Sequence, residues 1–168
     1  MKGYPDWNKP TIITAQEVEN LNININAQTI ERLIEAPSYG GARYIQSSGS
    51  VEPGDDVVIA SITGAGIIYG GFIVITDERT PERGGIGIDI DGTGFPSLTF
   101  ARLDEAQIYE RNNWFVYLRK YDTTNYFYVL AFTPGVTFDS SYKVHYGRIP
   151  TAVGDGNYDL YLIYALRA

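Results

Sequence analysis

Apolar and polar residues alternate with a period of two through most of this chain. Leu21-Asn22-Ile23-Asn24-Ile25-Asn26 does so strictly, which predicts a strand with one dry face and one wet face. Asn and Ile are both mediocre helix formers. In Thr29–Glu35, Ile30, Leu33 and Ile34 fit helical spacing, but the stretch is short and abuts Pro37, so a strand is favoured. Pro37-Ser38-Tyr39-Gly40-Gly41 breaks the chain. From Ala42 onward the pattern predicts strands over Arg43–Ser48, Asp56–Ile62, Gly66–Thr76, Ile86–Ile90, Ser97–Leu103, Trp114–Tyr121, Tyr126–Thr133, Thr137–Tyr146 and Tyr158–Leu166. Turn residues separate them, among them Glu52–Asp55, Asp77–Gly85, Asp91-Gly92, Asp122–Asn125 and Pro134-Gly135. Asp104–Asn112 is the one place suited to a turn or two of helix. Short strands at this spacing, with no long helix between them, predict an all-β chain: an antiparallel β-sandwich, jelly-roll-like.

Ahead of the sandwich, residues 1–20 read as an extended N-terminal arm, leaving 21–168 as a single β-domain. Pro5 and Pro10 oppose early helix or sheet pairing, and Tyr4 and Trp7 beside them would seek a partner surface. Glycines inside Gly66–Thr76, at Gly70-Gly71, mark a bulge, a corner of the sandwich or close approach by another backbone.

Several strands are apolar on both faces. Trp114, Val116 and Leu118 line one side of their strand; Phe115, Tyr117, Arg119 and Tyr121 line the other. The hairpin partner, Tyr126 to Phe132 with Tyr128 inside it, repeats the pattern. So does the last strand, with Tyr158, Leu160, Leu162 and Tyr164 set against Asp159, Tyr161, Ile163 and Ala165. One small sandwich has one interior. Leaving an aromatic side chain in water forfeits roughly 1.5–3 kcal/mol, so the second face is expected to meet a copy of this chain or a large ligand. The candidate interface is Leu21, Ile23, Ile25, Phe115, Tyr117, Tyr121, Tyr126 and Tyr128.

Composition narrows the chemistry. The 168 residues hold 18 Gly, 14 Tyr, one His and no Cys, which excludes thiolate and histidine-rich metal sites and predicts no cofactor. The net charge of −7, without clustered Lys or Arg, argues against nucleic acid. No apolar run is long enough for a membrane helix, and the first ten residues carry no apolar export-signal core. His145, in a predicted strand, has no G-x-S-x-G partner motif. Asp89 and Asp91 share a strand face roughly 6.6 Å apart, at the lower edge of the ~6.5–9.5 Å used by inverting glycosidases. Any i, i+2 pair would match as well, and Asp91-Gly92 reads better as a turn. No catalytic residue is assigned, and the expectation is a protein that is not an enzyme.

Short elements spread over the chain resemble structural β-domain proteins of tailed-phage and archaeal-virus particles. They are Gly3-Tyr4-Pro5-Asp6-Trp7, Asn22–Ile30, Tyr39–Arg43, Ile62–Gly71 and the Ile90-Asp91-Gly92 turn. The resemblance implies a virion location, as capsid decoration, head fibre or tail-associated protein. It implies a homo-oligomer, with a trimer favoured, and a major capsid or tail protein as partner. It also implies an arm, with Tyr4, Pro5 and Trp7, that docks on the particle. The alternative is a glycan- or receptor-binding module that meets host-surface sugars through Tyr117, Tyr121, Tyr126 and Tyr128.

Overall fold

Period-two alternation becomes ten strands in a computed structural model that describes residues 39–111 and 114–168. The arm, the boundary at residue 21, and the predicted strands at Leu21–Asn26 and Thr29–Glu35 lie outside the described residues. The strands are β1 (Arg43–Val51), β2 (Asp56–Thr63), β3 (Gly66–Thr76), β4 (Gly84–Ile90), β5 (Thr93–Thr99), β6 (Val116–Asp122), β7 (Phe127–Phe132), β8 (Val136–Phe138), β9 (Ser141–Arg148) and β10 (Gly156–Leu166). One short helix, α1 (Phe100–Glu105), follows β5. A six-stranded sheet has the order β1-β10-β3-β7-β6, with β8 also paired to β3; a four-stranded sheet has the order β2-β9-β4-β5. Every pairing is antiparallel. The fold is an all-β sandwich.

Cross-strand rows explain why these residues form these sheets. Ser47, Leu160, Ile73, Leu130 and Leu118 stand side by side across the six-stranded sheet, and the four hydrophobic members are fully buried. From the other sheet, Ile62, Ile86, Ile88, Tyr142, Val144 and Tyr146 face them. Phe100 and Leu103 of α1 are buried in the same core.

Three expectations need correction. Ser97–Leu103 is not a strand. β5 begins earlier, straight after a two-residue hairpin in which Asp91 and Gly92 both have positive φ, 54° and 79°, the backbone of a type I′ turn. It ends at Thr99, whose Oγ1 accepts a hydrogen bond from Arg102 N at 3.2 Å and caps α1. That helix stops at Glu105, short of the predicted Asp104–Asn112. Second, Thr137–Tyr146 is two strands in two sheets. β8 pairs β3, then Asp139-Ser140 turns the chain across so that β9 lies between β2 and β4. Third, a bulge between Leu118 and Lys120 breaks the alternation of β6, so Tyr117 and Tyr121 do not share a face.

Gly71 shows what its pair of glycines is for. Its φ is +154°, and a Cβ there would run into the Tyr161 carbonyl of β10. The neighbouring backbone that approaches closely belongs to the same sheet, beside a bulge at Ile163/Tyr164.

Candidate functional site

On the six-stranded sheet, the register places the outward side chains in rows. Gln46, Tyr161, Phe72, Ala131 and Tyr117 form one row across all five strands of the main path. Ser48, Asp159, Val74, Val129 and Lys120 form the next, while Tyr44 and Ile163 begin a third. Tyr44 is 76% exposed, Ile163 47%, Phe72 43% and Tyr161 37%. The rings of Phe72 and Tyr161 stack at 4.9 Å, and Gln46 Nε2 donates to Tyr161 OH at 3.1 Å. Lys120 Nζ lies 4.5 Å from the centre of the Phe127 ring, keeping the apolar surface capped on the β6 side. The result is an apolar face with Asp159 towards one margin and the Lys120–Asp122 ion pair, 3.5 Å, towards the other.

This face contains only part of the predicted interface. Tyr117 is on it. Tyr128 is not: it is wholly buried, its ring 5.4 Å from Phe100 and its hydroxyl without a partner among the described residues. Burial pushes its pKa up. Tyr121, turned by the bulge, packs on Tyr128 at 5.3 Å, and burial raises its pKa too. Tyr126 sits outside the strands in the turn before β7 with φ 52°, under the Arg79 guanidinium at 5.7 Å. Phe115 is half-buried against Phe95 at 4.5 Å and Trp114 at 5.7 Å. The four tyrosines expected to stack on sugars therefore form no single platform. Leu21, Ile23, Ile25, Tyr4, Pro5 and Trp7 lie outside the described residues.

Asp89 and Asp91 have structural duties. Asp89 Oδ1 accepts from Gly92 N at 3.0 Å. Asp91 accepts backbone N–H donors from Asp139, Ser140 and Ser141 at 2.6–3.0 Å and the Ser140 hydroxyl at 3.0 Å. Those donors, Asp139 N–H foremost, pull its pKa down to about 2. A carboxylate so stabilised is a poor proton donor near neutrality. It latches the β4–β5 hairpin onto the β8–β9 crossing.

Sequence reasoning missed a buried ion pair. Arg148 Nε donates to Glu78 Oε2 at 2.6 Å and Nη2 to Oε1 at 3.2 Å, with both side chains 0% exposed. Tyr146 OH donates to Oε2 at 2.9 Å, while Thr80 N and Oγ1 donate to Oε1 at 3.1 and 3.0 Å. Arg148 Nη1 donates to the carbonyls of Val51 (2.8 Å) and Gly154 (2.6 Å). Gly84 leaves the room: a Cβ there would strike the Glu78 carboxylate. The available signal was phase, because Arg148 continues the inward set Tyr142, Val144 and Tyr146.

The outer face of the four-stranded sheet differs in kind. Its rows read Asp56, Gly147, Gly85, Thr99, and then Val58, His145, Gly87. Lys143 and Asp89 are paired in the next row. The glycines leave a shallow trough of two adjoining cavities, about 170 and 310 Å³, which share Asp56 and Ser97. His145 Nδ1 stands 3.6 Å from Asp56 Oδ1, too far for a hydrogen bond. The Gly-Ile alternation of Gly84-Gly85-Ile86-Gly87-Ile88 was the sequence signal for a bare face.

No protein family and no curated protein matches the chain. Among solved structures, it is similar to a chain of "Cyanophage Pam1 capsid asymmetric unit", at 14% identity and a TM-score of 0.44. The match covers 78% of this chain and 91% of that one. A likeness that distant carries no argument.

Proposed function

We propose that this chain is a non-enzymatic structural protein of a virus particle. In this reading it is a β-sandwich that assembles with copies of itself through the outer face of its six-stranded sheet and attaches through residues 1–20. The observation that carries the assembly is the apolar plane around Tyr161, Phe72 and Ile163. Five strands about 4.8 Å apart, each contributing about seven residues at ~3.4 Å, span roughly 500 Å² in plan. That is of the order of the smaller stable interfaces, which bury about 600–800 Å² per partner. A second copy suits the surface because its middle rows are apolar and its charges are few: Lys120 is paired with Asp122 at 3.5 Å, and Asp159 stands towards the other margin. The virion setting and the favoured trimer come from the sequence resemblance, as do the docking arm and the capsid or tail partner.

Burying these side chains gains at most roughly 1.5–3 kcal/mol each, against several kcal/mol of lost freedom, so self-association in the micromolar range is expected. Light scattering at micromolar concentration tests it: a stable multimer supports the reading, and a monodisperse monomer overturns it. Removing residues 1–20 is expected to abolish particle attachment and leave the multimer intact.

A further inference from the structure

The trough on the four-stranded sheet is independent of the apolar plane, and we propose that it binds a neutral saccharide. Gly85, Gly87 and Gly147 of β4 and β9 line it; the Leu98 carbonyl and the Ser97 hydroxyl of β5 stand over Gly85 and Gly87, and the Asp56 side chain flanks Gly147. Gly87 also falls at a bulge, between Ile86 and Ile88, where β4 slips against β5; bulges of this kind re-aim groups beside binding sites. Most main-chain N–H and C=O groups there are engaged in the ladders to β9 and β5. Recognition is therefore left to the side chains of the walls.

Those walls alternate acceptors and donors. Asp56 and Asp89 offer carboxylate oxygens, Ser97 and Thr99 offer hydroxyls, and His145 offers a ring nitrogen. Half-buried Phe95 adds apolar ring surface at one end. Several hydroxyl-sized partners spread along one trough match a polyol better than a single charged group. Asp55, Asp56 and Asp89 outnumber Arg83 in the lining, Arg148 is buried against Glu78, and the chain carries a net charge of −7, so anions are disfavoured. Among the described residues no group of His, Asp and Glu is arranged to hold a metal ion. The cavities together stand at the lower end of the roughly 300–1,000 Å³ of small-molecule sites, which fits a short saccharide bound weakly.

His145 is the one histidine in the chain, so its ring-proton NMR signal reports on the trough without ambiguity. The full chain would be titrated to millimolar concentration with glucose, galactose, mannose and N-acetylglucosamine and with short oligomers of each. Spermidine would serve as a cationic probe. The expected result is a saturable shift with at least one saccharide, its affinity falling about tenfold in Asp56→Asn, which weakens a hydrogen bond to a charged group. Gly147→Val is expected to abolish it by filling the trough; the three atoms nearest a Cβ there all belong to the Asp56 side chain, so the sheet should tolerate it. No shift with any saccharide, a shift untouched by both variants, or a response to spermidine alone would each overturn the proposal. Because the trough and the apolar plane are on opposite sheets, a monomeric variant should bind saccharide as the wild type does.

Discussion

On the six-stranded sheet the outward positions of the inner strands include Phe72, Val74, Val129, Ala131, Tyr161 and Ile163 with one charge, Asp159; on the four-stranded sheet they are Gly85, Gly87, Asp89, Lys143, His145 and Gly147. Behind both faces lies the same core, with Leu160, Ile73 and Leu130 on one side and Ile86, Ile88 and Val144 on the other. One phase of the alternation builds the sandwich and is interchangeable between the sheets. The other phase is where they part. An apolar face suits another sheet laid against it, whereas a glycine trough walled by polar groups has nothing for a sheet to pack on.

The hardest blow to both faces at once is Glu78→Ala. It leaves the Arg148 guanidinium buried with no counter-charge, and loss of one partner in such a pair costs about 3–5 kcal/mol. Urea denaturation should show it, with the two faces lost in a single transition. Pairing Glu78→Leu with Arg148→Met should recover much of the loss. Next in size is Phe72→Asp with Tyr161→Asp, which places like charges side by side in the outer row. The solution mass is expected to fall to that of a monomer, while the fold loses only about 1–2 kcal/mol, from the stack and the like-charge cross-strand pair, because neither ring belongs to the core. An unchanged multimer would assign self-association to some other surface.

A smaller effect separates the faces by pH. Asp91 has a folded-state pKa of about 2, below the ~3.9 of an unfolded chain. Its stabilisation is therefore complete above pH ~4 and disappears as pH falls through about 2. Asp91→Asn should flatten that part of the acid limb in thermal melts, and because Asp91 sits on the hairpin of the four-stranded sheet, the solution mass should not respond.

Strand positions were readable even across a bulge, as in Gly66–Thr76, where expected and observed bounds coincide although Tyr69 is skipped in the pairing with β10. Reading failed where a tertiary contact overrode the local pattern. Asp139-Ser140 becomes a turn because Asp91, far off in sequence, grips it; at Thr99 the failure was local, a cap to Arg102 N three residues on that the alternation hid. The bulge after Leu118 left no local mark, so Tyr121 and Tyr128 were counted as surface although both pack together inside. Tyr161 and Ile163 were legible as a second face because β10 keeps its phase up to Ile163. Glu78 was hidden in a run of turn residues, and the trough is lined by glycines that a hydrophobic pattern passes over.

The Asp91 latch joins residues 48 to 50 positions apart. Closing so long a loop before its reward arrives is slow, so this grip should form after the rate-limiting step rather than within it. In stopped-flow experiments Asp91→Ala should then leave the refolding rate nearly unchanged and quicken unfolding. The latch would set how long a folded molecule lasts, and have little say in how quickly one is made.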